Sequence, residues 1–134
     1  MNIASFDDLL QIARQQREPQ QLLFVFAGAE LPAGASAAQR EQFDAGEGGE
    51  LAPLMCVDKD AKALAGFDAL CVEAAQAGPP WAIVFTAALS GRNGRPPQAG
   101  DIDAALQHMV EAIQAGHLDG MLPFNRAGEP VQLA

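Results

Sequence analysis

Ser90, Arg92, Asn93 and Arg95 fall within one short stretch, "SGRNGRPP", directly after the most hydrophobic run of the chain. Two guanidinium groups so close together can fork onto a carboxylate or a phosphate. The Ser90 hydroxyl can add a hydrogen bond, and glycines at 91 and 94 let backbone N–H groups approach an anion. The stretch has neither the Gly-Lys-Ser/Thr ending of a phosphate loop nor the G-x-G-x-x-G fingerprint of a dinucleotide site. Asn93-Gly94 is also a common turn dipeptide, and Pro96 and Pro97 stiffen the exit. Of the two readings, an anion cradle or a solvated connector, the sequence favours the connector.

A second group is Asp58, Lys59, Asp60 and Lys62 in "CVDKDAK". Two acids there can hold a metal ion or act as a base, but such alternation more commonly caps a helix start, with Asp60 as N-cap. The further ligands of an EF-hand are missing. Cys56 and Cys71 each sit in an apolar run and read as buried small hydrophobes. A zinc site would need both together with His108 and His117, none of them at paired ligand spacing. Neither histidine has a nearby acid and nucleophile suggesting a triad. The expectation is no metal, no cofactor and no catalytic residue.

The elements that must position these residues follow from periodicity. Ser5, with Asp8 three residues on, opens an amphipathic helix carrying Phe6, Leu9, Leu10 and Ala13 and ending before Pro19. Leu22 to Phe26 reads as a buried strand. Residues 32–50 form a small, acidic and mobile excursion, with one brief helix signalled by Ser36 and Gln39. "LAPLMCVD" is a strand whose Pro53 argues for an edge or a strand end. A helix over Asp60 to Ala77 has Gly66 as its weak point and stops at Gly78.

Trp81 to Leu89 is apolar at nearly every position and reads as a central strand covered on both faces, which delivers the arginine loop to the rim of the sheet. Asp101 can cap a helix striped by Ile102, Leu106, Met109, Val110 and Ile113 and closed at Gly116. The ending folds back around "NRAGE" as a hairpin. The order predicts one α/β or α+β domain over residues 1–134. Its single-layer mixed sheet of about five strands has helices packed on it, and the C-terminal hairpin forms the antiparallel edge.

The charge of −9, from 17 acidic against 8 basic residues, repels phosphate backbones and anionic lipid, so neither nucleic acid nor a membrane is an expected partner. No apolar run approaches the roughly 20 residues of a bilayer span. Asp7 and Asp8 stand where a signal peptide would be apolar, which points to a cytoplasmic chain. These two acids and those from Glu41 to Glu50 read as solubilising faces. The C-terminal "EPVQL" offers a strand edge through which a homodimer can form.

The segments "SFDDLL", "LLFVFAGAELP", "GGELAPLMCVDK", "AGPPWAIVFTAALSGRNGR" and "FNRAGEPVQ" together resemble a family of short proteobacterial proteins. Some of its members carry the label ribonucleotide reductase subunit alpha. The resemblance spans nearly the whole chain and implies a cytoplasmic bacterial protein. The label does not fit the residues, because that subunit needs a radical cysteine, a reducing cysteine pair and a nucleotide-holding barrel several times longer than this chain. The expected function is a small non-catalytic binding or interaction module that recognises a protein or a small anionic ligand. The competing expectation is an enzyme or sensor gripping a phosphorylated or carboxylated metabolite through Arg92 and Arg95.

Overall fold

A computed structural model describes residues 3–30, 34–44 and 50–132. Its elements are α1 (Phe6–Arg14), β1 (Gln20–Glu30), α2 (Ala37–Asp44), β2 (Glu50–Asp60), α3 (Phe67–Ala77), β3 (Ile83–Ser90), α4 (Ala99–Ala115) and β4 (Leu122–Phe124). The strands form one sheet in the order β2-β1-β3-β4. The expected class of helices packed on a single sheet is observed. Among the described residues, however, the sheet has four strands instead of about five, and each of its ladders is antiparallel, so it is not mixed. β2 and β3 run in the same direction but never pair, because β1 is inserted between them. The missing fifth strand is the second arm of the C-terminal hairpin. Pro130 has no N–H to extend a ladder, so the arm keeps one bridge to Phe124 and two bonds, from the Asn125 N–H to the Glu129 carbonyl and from the Val131 N–H to the Pro123 carbonyl. The dimer edge expected at "EPVQL" is therefore not a strand, and its Leu133 lies outside the described residues.

β1 is buried on both sides from Leu22 to Ala27, and its alternation feeds two cores. Leu22, Phe24 and Phe26 face α1 and α3, joined by Phe6, Leu10, Phe67, Leu70 and Trp81. Leu23, Val25 and Ala27 face α4, with Phe85, Met109 and Ile113. Phe6 is the hub of the first core, with ring centroids 5.8, 5.0 and 5.4 Å from those of Phe24, Phe67 and Phe124. β3 is an interior strand, but Trp81 and Ala82 precede it, and full burial covers only Val84 to Thr86. Beyond Thr86 the strand has outrun β4, whose ladder stops at the Thr86–Leu122 pair. Pro53 does lie on an edge strand, at an irregularity where the register slips between Phe26 and Ala27.

The helix starts show where local signals were used and where distant ones replaced them. The Ser5 hydroxyl accepts the Asp8 N–H, and Ser36 and Gln39 form a reciprocal capping box at α2. The helix expected from Asp60 begins only after Gly66. Asp60 instead closes a single turn, its carbonyl accepting from Ala63 and Leu64. Gly66 brings no capping side chain, so the Asp7 carboxylate, 60 positions away in sequence, accepts the Phe67 N–H at 3.1 Å. Asp7, read as part of a solubilising face, thus also caps a distant helix, and Asp8, expected in the capping-box position, accepts the Ala4 N–H at 2.9 Å. α4 likewise starts at Ala99, two residues before the expected cap, which places Asp101 in its first turn, and it ends at Gly116 in the left-handed conformation (φ 78°). Within the acidic excursion, residues 32, 33 and 45–49 lie outside the described residues, and α2 exposes each of its described side chains.

Candidate functional site

β3 ends at Ser90 and the chain doubles back immediately. The Arg92 N–H donates to the Arg95 carbonyl at 3.0 Å and the Arg95 N–H to the Arg92 carbonyl at 2.9 Å. Between them Asn93 (φ 54°) and Gly94 (φ 76°) are both left-handed, the geometry of the primed two-residue turn that Asn-Gly favours. A directly opposed pair puts both side chains on one face of the hairpin, with Cβ atoms about 5 Å apart. Two like charges so placed cost stability. The one ion pair among the described residues is elsewhere, between Lys59 and Glu73.

The hairpin and the end of β3 are tied by three bonds to the α1–β1 linker and the first residue of β1. The Gly91 N–H donates to the Pro19 carbonyl at 2.8 Å, the Gly94 N–H to the Glu18 carboxylate at 3.2 Å, and the Gln20 amide to the Ser90 hydroxyl at 3.0 Å. Gly91 is buried, and a Cβ there would lie 2.0 Å from the Arg95 carbonyl oxygen, so the crossing of the two arms requires glycine. The Gly94 amide, offered by the sequence as an anion donor, is already occupied by Glu18. Ser90, Arg92, Asn93 and Arg95 nevertheless line one open depression of about 680 Å³. Gln98 and Asp101 from the start of α4 form its other wall. No side chain caps α4, since the N-cap Gln98 makes no such bond. The first N–H groups of this 17-residue helix therefore carry the positive end of its dipole to the site. Asp101 offsets part of that charge.

The remaining candidates separate. Asp58 accepts from the Gln21 side chain, Lys59 pairs with Glu73, and Asp60 accepts the Lys62 N–H. Among the described residues no group of three His, Cys, Asp or Glu side chains is arranged to hold a metal ion. Cys56 is exposed, contrary to the expectation of burial, because its strand is the sheet edge, and Cys71 is half-buried. Local desolvation raises the Cys56 thiol above its ordinary value. Cys71 is raised by desolvation and then by the Asp68 carboxylate, with Arg126 acting in the opposite sense. His108 and His117 are both exposed. No helix among the described residues is long and apolar enough to cross a membrane.

In an open parallel sheet the carboxyl ends of the strands gather at one rim and mark a site. An antiparallel sheet has no such rim, so the position of the arginine loop rests on its own geometry. Sequence reasoning missed Glu18 and Gln98, and it offered Gly91 as an anion donor, whereas its N–H is held by Pro19 and its place is fixed by packing. The arginine pairing itself carries a signal, since Asn-Gly flanked by the same residue type on each side places those two side chains opposite one another. Comparison of the chain with protein-family models, with curated proteins and with solved structures returns no match.

Proposed function

We propose that this protein is a small non-catalytic binding module whose recognition element is the Arg92–Arg95 hairpin, and that its ligand presents a carboxylate or phosphate group. The observation that carries this reading is the direct backbone pairing of two arginines, Arg92 and Arg95, with no ion-pair partner among the described residues, beside a helix start with no capping side chain. A sheet gains nothing from like charges placed opposite each other, whereas an anion between them satisfies both forks at once.

Thermal denaturation in the presence of citrate, inorganic phosphate or a nucleotide tests the reading. At 100 times the dissociation constant, a one-site ligand stabilises by about 2.7 kcal/mol. The double variant Arg92→Ala/Arg95→Ala abolishes that gain. An equal gain in the variant would move the site elsewhere. Self-association is a second reading, favoured by the 11-residue β2, whose outer edge pairs with no other strand among the described residues. Light scattering that returns the monomer mass at tens of micromolar ends it.

A further inference from the structure

We propose that the ligand is an extended acidic peptide, added as a short strand along the open edge of β3 with its carboxylate on Arg92 and Arg95. This rests on the reading of the arginine pair given above and names its ligand class. Three observations lead to it.

The first is backbone polarity. The Gly91 N–H bonds Pro19 in β1's direction, and antiparallel pairing alternates along a strand. Ala87 and Leu89 therefore turn their backbone groups to β1, while Ala88 and Ser90 turn theirs to the opposite side. That side is β4's, and the β4 ladder ends at Thr86. Ala88 and Ser90 are both exposed, leaving the donors and acceptors of two residues open for an added strand.

The second is shape. A cavity of about 260 Å³ lies beside this edge, floored by Leu23, Ala87 and Leu89, walled on one side by Ala105 and Met109 of α4 and on the other by Gly120 and Met121 of the segment leading into β4. Alanines at 87 and 105 leave room that larger side chains would fill, and the lining suits a small apolar side chain.

The third is charge. Leu89 borders both this cavity and the arginine depression, so a peptide on the edge reaches Arg92 and Arg95 at one end. At the other end it meets His108 and Asp119, and the Asp119 carboxylate opposes a peptide acid there, so the charge argument places the peptide's carboxylate at the arginine end alone. The chain as a whole is acidic, so attraction to an acidic peptide is confined to about a Debye length around the arginines. That favours a carboxylate held in contact over long-range steering.

Fluorescence anisotropy with a fluorescein-labelled Glu-Val-Glu-Val-Glu peptide tests the proposal against the same peptide N-methylated at alternate amides, which keeps every charge but loses the strand hydrogen bonds. The expected result is saturable binding by the first peptide and at least tenfold weaker binding by the methylated one. The Arg92→Ala/Arg95→Ala variant should bind the first peptide at least tenfold more weakly as well. Equal affinity for the two peptides overturns the added strand. Binding of citrate without binding of either peptide also overturns it, while leaving the anion reading intact. If neither citrate nor peptide binds, both readings fail together.

Discussion

The Glu18 carboxylate accepts the Gly94 N–H at 3.2 Å, 76 positions away in sequence, and so pins the turn between Arg92 and Arg95 to the linker before β1. On the proposed anion reading, this carboxylate stands beside the arginines with the same charge as their ligand. Glu18→Gln removes its charge and keeps an acceptor for the amide. The expected outcome is a several-fold gain in affinity for citrate by calorimetry, with a melting temperature near that of the parent. A loss of affinity would show that Glu18 helps to form the site.

Gly91 and Gly94 sit three residues apart in one hairpin but should respond differently to alanine. At Gly91 the new Cβ would lie 2.0 Å from the Arg95 carbonyl oxygen, whereas at Gly94 the space is open and the penalty is only the left-handed backbone (φ 76°). Gly94→Ala should cost about 1 kcal/mol. Gly91→Ala should cost at least about 2 kcal/mol, in the range of single changes that break a defined packing constraint, and should loosen the arginine pair. Urea denaturation of the two variants checks the order, and equal costs would contradict the crossing described.

Thr86 is 1% exposed and its Oγ1 has no hydrogen-bond partner. An unpaired buried hydroxyl costs about 1–3 kcal/mol relative to water. Thr86→Val keeps the branched shape and removes the polar atom, so it should stabilise by about 1 kcal/mol. A clear loss of stability in urea would mean that the hydroxyl is satisfied by an ordered water.

Much of this architecture was legible because its signals are local. The unbroken Leu22–Phe26 run marked β1, the Ile102 to Ile113 stripe marked α4, and Ser5, Ser36 and Gly116 marked helix ends. What escaped depends on contacts between distant residues. Asp7 caps a helix 60 positions away, and nothing near Gly66 announces it. The exposure of Cys56 follows from β2 being an edge strand, which only the strand order decides. At the site, Asn93-Gly94 revealed a turn but not that the turn is anchored by Glu18. The opposition of Arg92 and Arg95 required knowing that the turn holds two residues and belongs to a hairpin.

Asp7 and Ser5 cap different helices, so their loss should be separable. Asp7→Ala removes the acceptor for the Phe67 N–H and Ser5→Ala the acceptor for the Asp8 N–H; each should cost about 1 kcal/mol. The Asp7 variant should accelerate amide hydrogen exchange in the first turn of α3, and the Ser5 variant in that of α1. Exchange unchanged in α3 would remove Asp7 from this role.

Both thiols are raised above their ordinary value of 9.0 in the folded chain. A raised folded-state pKa means that the neutral thiol is favoured by folding. The associated stability is fully present below pH 9 and is lost as pH rises through the folded values. Stability should therefore fall on the alkaline side and fall less in a Cys56→Ser/Cys71→Ser variant, measured by denaturant titration from pH 7 to 10. Identical alkaline slopes would assign the loss to other groups.

The central claim is that an anion sits between Arg92 and Arg95 at the start of α4, and a ¹⁵N-resolved NMR titration with citrate tests it most directly. Saturable shifts should concentrate on the backbone amides of residues 91–95 and of Ala99 to Asp101, and should vanish in Arg92→Ala/Arg95→Ala. Saturable shifts confined to other residues, or none at millimolar citrate, would contradict it.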